Sequence, residues 1–365
     1  MADFKEQFAS WTRRGITRRY AMLAFGYGLV LSTTLFSCSS SPDNSQQQTG
    51  SSASNVASSN APNKVIRIVR SKQLTSLAVL EQKGILAERL APLGYSVEWP
   101  EFAAGPQQLE ALNAGALDIA STAESPPIFS QAAGAPLVYL AANSSDGQAV
   151  SLLVPQNSPI QSIKELKGKK VAFQKASIGH YLIVRALERE GLQLSDIESV
   201  ALAPPDANVA FSQRKVDAWF IWEPFVTRNV QNGTGRVLTD GGNGLRDTNN
   251  FISTNRKFYE ENREVIKVFL EELQKANNWA INNPKEIAQL LSATTQLEPP
   301  ILEIMHDKYD FTLVPITEAI INKQQEVAEK WYGLGLIPKE VNVRDSFLTP
   351  EQYAEITPQE VRAKN

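Results

Sequence analysis

The stretch Lys170–Gly191, KVAFQKASIGHYLIVRALEREG, decides how the chain is read. Val171, Ala172 and Phe173 make an apolar run of strand length, and a small polar turn follows. From there Tyr181, Val184 and Leu187 recur on one helical face, while Arg185, Glu188 and Arg189 fall on others. Gly191 supplies a stop. The stretch is therefore a strand–turn–helix unit. Ser177 is a good N-cap, and the N–H groups just after it have no partner inside a helix. Those groups and the helix dipole favour an anion at the turn. Ile178 and Gly179 would let a ligand approach the backbone, and His180 stands in the first turn. Taken alone, the turn reads more readily as an ordinary capped connection that binds nothing.

Outward from this unit, short apolar runs alternate with helical patterns. Strands are expected at Val65–Val69, Tyr95–Trp99, Asp118–Ser121, Leu137–Ala141, Ala149–Val154, Lys170–Phe173, Ser199–Leu202 and Val216–Ile221. Helices are expected at Ile85–Leu93, Gln107–Ala114, Ser125–Ala133, Ile163–Leu166, Gly179–Glu190 and Asp206–Gln213. Such alternation predicts an α/β fold with parallel-rich sheets covered by helices, and with loops at the strand ends open to a ligand. From about Arg263 the pattern is helical only, which predicts a C-terminal helical cap on one sheet.

Two polar, glycine-bearing segments, 143–149 and 240–249, read as crossings between two lobes. Lobe one would be 64–142 with 250–365, and lobe two 150–239. A ligand would sit in the cleft between them. Lobe one carries a second anion-seat candidate, DIASTAESPPIF (118–129), where a strand ends and prolines open a helix. Ser121, Thr122 and Ser125 offer hydroxyls there and Glu124 a carboxylate. An ordinary capped turn would look the same, but two such turns in two lobes can face each other.

The first residues read as an address. Arg13, Arg14, Arg18 and Arg19 precede an apolar run from Ala21 to Ser37, so residues 1–37 are expected to be a signal peptide. Leu35-Phe36-Ser37-Cys38 has the form of a lipobox, with Cys38 as the lipidated residue. Cys38 is the one cysteine of 365 residues, which excludes an internal disulfide framework and a multi-cysteine metal site. Residues 38–63, rich in Ser, Gln and Asn, cannot build a core and read as a disordered, lipid-anchored tether. Without the leader, 31 basic residues face 37 acidic ones, a net charge of −6. That balance suits a secreted domain and argues against a nucleic-acid partner.

Four long stretches stand out: FAAGPQQLEALNAGALDIA (102–120), AESPPIFSQAAGAPLVYLA (123–141), SPIQSIKELKGKKVAFQKASIGHYLIVRALEREGLQLSDI (158–197) and LAPPDANVAFSQRKVDAWFIWEPF (202–225). Together they resemble the substrate-binding lipoproteins of ABC importers for aliphatic sulfonates, within the nitrate/sulfonate/taurine-binding group. The resemblance implies a two-lobed periplasmic-binding-protein fold of the Venus-flytrap type that closes on a small anionic organic ligand. It also implies delivery to a membrane permease and its ATPase, with no cofactor and no metal ion. Carried onto this chain, Ser177–His180 and Ser121–Ser125 would hold the sulfonate head, and Trp222 would line the cleft. Ala123 stands where the family has glycine, and Glu223 where it has aspartate.

Gln73, after the first strand, is a further candidate contact. Trp219 reads as a core aromatic and His306 as a surface side chain. Glu124 beside an anion either accepts hydrogen bonds from its own turn or selects amine-bearing sulfonates. Nitrate, taurine and bicarbonate are alternative ligands, and the seat is expected to consist of neutral donors plus aromatics. The competing class is an enzyme like the fold's thiamine-pyrimidine relative, which carries a cysteine-rich motif absent from this chain. No nucleophile–His–carboxylate grouping is evident, so no enzymatic activity is expected. A sensor domain is a third class, without a signalling domain in the sequence to support it. The expected protein is a monomer, lipid-anchored on the extracytoplasmic face.

Overall fold

A computed structural model describes residues 64–73, 75–145 and 147–363. The expected signal peptide, Cys38 and the tether lie outside the described residues. In chain order the strands are β1 (Lys64–Arg67), β2 (Tyr95–Glu98), β3 (Ala120–Thr122), β4 (Leu137–Asn143), β5 (Val150–Pro155), β6 (Lys170–Phe173), β7 (Glu198–Ala201), β8 (Ala218–Trp222), β9 (Gly235–Asp240), β10 (Asn250–Asn255) and β11 (Leu313–Val314). Helices α1 (Ser76–Lys83), α2 (Ile85–Leu90), α3 (Gly105–Asn113) and α4 (Ser125–Ala132) belong to the first stretch of chain. The middle contributes α5 (Ile178–Arg189), α6 (Pro204–Ser212) and α7 (Phe225–Gln231). The remainder is helical: α8 (Arg256–Glu261), α9 (Arg263–Asn282), α10 (Pro284–Thr295), α11 (Pro299–His306), α12 (Glu318–Gly333), α13 (Pro350–Ile356) and α14 (Gln359–Arg362).

Two larger sheets organise these elements, with strand orders β11-β4-β10-β3 and β7-β6-β8-β5-β9. The pair β1–β2 joins the first through a parallel bridge between Ile68 and Ile119. The sheets are mixed. β6 runs parallel to both β7 and β8. Each of those connections includes a helix, as a parallel crossover requires. β5 is antiparallel to β8 and β9, and β10 is antiparallel to β3 and β4. The cause lies in the chain path. β5 and β10 are the strands on which the chain arrives from the other sheet, and neither arrives through a helical crossover within its own sheet.

The chain leaves the first sheet between β4 and β5 and returns between β9 and β10. These two connections touch back to back. A Cβ on Gly147, which has φ +85°, would lie 2.3 Å from the Gly241 carbonyl oxygen, so the approach requires glycine. The Gly241 N–H donates to the Val150 carbonyl at 2.8 Å.

The long amphipathic helix α9 buries Val265, Ile266, Phe269, Leu270 and Leu273 along one stripe. Prolines at the first turns of α10 and α11 start each helix, and α11 is an element not anticipated from periodicity. The expectation that the C-terminal helices cap one sheet needs correction at α12. Trp331, fully buried on α12, meets Phe129 of α4 on one side and His180 and Tyr181 of α5 on the other. The apolar stripe of α12 thus packs against helices from both sheets. His306 is likewise no surface side chain: its Nε2 bonds the Ala280 carbonyl at 2.9 Å and ties α11 to α9. Trp219 is fully buried among Phe211 and Phe225, as a core residue. Among the described residues no helix is long and apolar enough to cross a membrane.

Candidate ligand cleft

A cleft of about 420 Å³ opens between the two sheets. One wall is made by Gln73, Ser76 and the end of β3 at Ser121, Thr122 and Ala123. The opposite wall carries Ser177, Ile178, Trp222, Pro224, Phe225 and Arg228. The two turns singled out in the sequence therefore reach the same cavity. Thr122 Oγ1 and Ser76 Oγ are buried at its wall and have no hydrogen-bond partner among the described residues. Both hydroxyls can donate to a ligand in the cavity.

Of the expected site residues, Gln73, Ser121, Thr122, Ser177, Ile178 and Trp222 line the cleft. Glu124, Ser125, Gly179 and His180 do not; each faces protein instead. Glu124 is fully buried and accepts from Ser125 Oγ and Thr248 Oγ1, both at 3.0 Å. It also pairs with Arg246 at 3.4 Å, so its charge is answered by protein and it serves its own turn rather than an amine on a ligand. Gly179 lets α5 approach β8, since a Cβ there would meet the Phe220 carbonyl oxygen at 2.8 Å. The close neighbour is backbone of the second sheet, not a ligand.

His180 stacks on Phe173 with ring centroids 4.7 Å apart, and Trp331 covers its other face. Its Nδ1 accepts the Ala176 N–H at 3.3 Å, which holds Ala176 in a left-handed conformation. Burial, and next the charge of Lys175, push its pKa down to about 3. The imidazole is therefore neutral and structural. Ser177 caps α5 by accepting from the Gly179 N–H at 3.1 Å, while its own proton goes to the Gln174 carbonyl at 2.7 Å. Its hydroxyl is thus committed to the turn, and the turn's contribution to a ligand is its backbone.

A family model described as NMT1/THI5 like matches residues 94–287. The chain belongs to the NMT1/THI5-like family. Within solved structures, this NMT1/THI5-like chain is similar to the alkanesulfonate-binding protein SsuA from Xanthomonas axonopodis pv. citri bound to MOPS. The identity is 32% and the TM-score 0.75, over 79% of this chain and 99% of that one. The periplasmic aliphatic sulphonate binding protein SsuA from Escherichia coli is 37% identical with a TM-score of 0.70, over 79% of this chain and 92% of that one. A Bacillus subtilis (strain 168) relative named for aliphatic sulfonates is 32% identical over 282 residues, 77% of this chain and 85% of its own.

The NMT1/THI5-like fold here also gathers residues that the sequence reading passed over. Arg70, Lys72, Arg228, Arg246 and Lys308 all border the cleft. The seat is therefore not built of neutral donors and aromatics alone. Most of these cations are answered by carboxylates: Arg70 by Glu81 at 2.5 Å, Lys72 by Glu101 at 2.7 Å, Lys308 by the buried Glu223 at 2.7 Å, and Arg246 by Glu124. No spacing rule signalled them, because each partner comes from another element. The replacement of aspartate by Glu223 acquires a use: its two oxygens receive the Thr227 N–H, the Thr227 hydroxyl and Lys308.

Proposed function

We propose that this protein is the extracytoplasmic substrate-binding component of an ABC importer and that it binds an organosulfonate between its two lobes. The observation that carries the reading is the cleft itself, with hydroxyl donors from one sheet facing the capped backbone turn and the aromatic side chains of the other. Its similarity to a sulfonate-binding protein holding MOPS, itself a sulfonate with a ring-bearing tail, supports the ligand class. A sulfonate stays ionised at physiological pH, so the seat needs donors but no proton transfer. The orphaned Thr122 and Ser76 hydroxyls supply two, and Trp222 and Phe225 offer an apolar surface for a tail.

The lobes are 64–142 with 250–365, and 150–239, with 143–149 and 240–249 as the hinge segments. Delivery is to a permease and its ATPase. The protein works as a monomer, held by a lipid on Cys38 after removal of residues 1–37; Cys38→Ala should block processing and fatty-acid attachment, and normal labelling of that variant would refute the anchor. The relatives named for sulfonate binding support binding rather than catalysis, with no enzymatic step.

Isothermal titration calorimetry against alkanesulfonates, taurine, nitrate, bicarbonate and sulfate tests the ligand. Alkanesulfonates should bind at least about tenfold more tightly than the inorganic anions, a difference of roughly 1.4 kcal/mol. A preference for nitrate, bicarbonate or taurine would move the protein to another branch of the same group.

A further inference from the structure

Arg228 differs from the other cations at the cleft. It stands on α7, one turn beyond Trp222-Glu223-Pro224-Phe225, and Trp222, Pro224, Phe225 and Arg228 all line the cavity. Its Nη2 donates to the Thr295 carbonyl, at the end of α10 among the C-terminal helices. A neutral carbonyl orients the guanidinium without cancelling its charge, and it occupies one of five N–H donors. Among the described residues no carboxylate pairs with Arg228, whereas Arg70, Lys72, Arg246 and Lys308 each have one. Burial draws its pKa below the ordinary arginine value, with no neighbouring anion to offset it. The group nevertheless stays ionised at any physiological pH.

A partly buried cation without a counter-charge is costly to fold around, so a molecule that brings the anion is favoured there. We propose that Arg228 is the charge partner of the bound ligand: its free guanidinium edge takes the sulfonate through charge-assisted hydrogen bonds, so that Arg228 sets the preference for anionic over neutral ligands. The planar fork of arginine matches two oxygens of a sulfonate as it matches those of a carboxylate or phosphate. The inference rests on the sulfonate reading of the cleft.

The same geometry gives the arginine a second consequence. Because Thr295 belongs to the C-terminal helices and α7 to the segment of the second sheet, an anion on Arg228 is held by a side chain already bonded from one half to the other. Charge recognition and contact between the halves therefore meet at one residue. Arg246 cannot take this role, since its guanidinium is buried against Glu124, Thr248 and Asn250.

The test uses the folded protein, a linear alkanesulfonate and the alkyl methyl sulfone of the same chain length, in which a methyl group replaces the charged oxygen and two neutral sulfur-bound oxygens remain. Calorimetry of the wild type should show strong preference for the anion. Arg228→Gln should weaken sulfonate binding by about 30-fold or more and leave sulfone binding within about threefold, so that the preference collapses. Arg228→Lys keeps the charge and loses the fork; it should retain most of the preference with an intermediate affinity. A merely structural role would weaken both ligands together. Equal anion preference in wild type and Arg228→Gln would overturn the inference while leaving the sulfonate reading intact. Failure of the wild type to bind any alkanesulfonate would overturn that reading and this one with it. If Arg228→Gln does not fold, Arg228→Met and Arg228→Lys provide the same comparison, and an unchanged preference in Arg228→Met is equally fatal.

Discussion

At the scale of single residues, His180 shows how position in the fold reverses a sequence expectation. An imidazole in the first turn of a helix at a candidate anion site suggests a donor to the ligand. Here it is sandwiched between Phe173 and Trp331 and holds the Ala176 N–H. With a folded pKa of about 3 against an ordinary 6.5, the sign of the linkage is clear. The folded state prefers the neutral ring, so the unfolded state takes up the proton first as pH falls below 6.5. Stability is full above that value and is lost progressively towards pH 3. Chemical denaturation between pH 7 and 5 should show a slope that approaches about 1.4 kcal/mol per pH unit from this residue, and His180→Phe should remove it. Ligand affinity between pH 6.5 and 8.5 should be flat in the wild type. An affinity that falls with rising pH in that range would mean that a protonated His180 meets the ligand after all.

At the scale of elements, the two crossing segments are joined by side chains as well as by their glycines. Arg246, within the second crossing, donates to Ser145 in the first, to Asn250 at the start of β10 and to Glu124 at the head of α4. Thr248 adds a bond to the same carboxylate. Gln324 of α12 donates to the Glu124 carbonyl at 2.7 Å and to Tyr139 at 3.0 Å, which brings the C-terminal helix into the network. Removing one side of a buried ion pair leaves the other uncompensated, typically at a cost of about 3–5 kcal/mol. Glu124→Ala should therefore destabilise the protein by about that much in urea denaturation. The double variant Glu124→Ala, Arg246→Met should recover part of the loss. Additive losses in the double variant would show that the pair is not energetically coupled.

At the scale of the whole molecule, contacts between the halves lie on both sides of the ligand cleft. Behind it, Trp331 packs on α5, and Lys330 of α12 pairs with Glu188 of α5 at 2.8 Å. Bordering it, Lys308 pairs with Glu223, and Arg228 donates to Thr295. The aromatic packing behind the cleft resembles a fixed pivot, whereas one ion pair and one hydrogen bond are easily exchanged for water. Saturating alkanesulfonate should lower the radius of gyration in solution scattering as the walls come together. Lys308→Met should raise the ligand-free value by removing a contact that favours the closed arrangement. Identical curves for free and saturated wild type, with Lys308→Met also unchanged, would exclude closure by this motion.

Much of this protein is legible in the sequence because the signals concerned are local. Short apolar runs and period-3.6 patterns located most strands and helices, Ser177 and the prolines of 126 and 127 marked helix starts, and glycine-bearing polar segments stood where the chain changes sheets. Each of those signals is a property of a few neighbouring residues. What the tertiary structure alone decided is which face of each turn is wet. Ser177 and Thr122 reach the cleft, while Gly179, His180, Glu124 and Ser125, within three residues of them, face protein. Charge had the same limit. Arg246 is answered by Glu124 from 122 positions away, and Lys308 by Glu223 from 85, whereas among the described residues Arg228 meets only a carbonyl 67 positions on. Periodicity reports which side of an element is apolar, but the pairing of charges depends on which elements the folded chain brings within a few ångströms. That distance is set by packing across the whole molecule, and it is what leaves Arg228 as the cation open to a ligand.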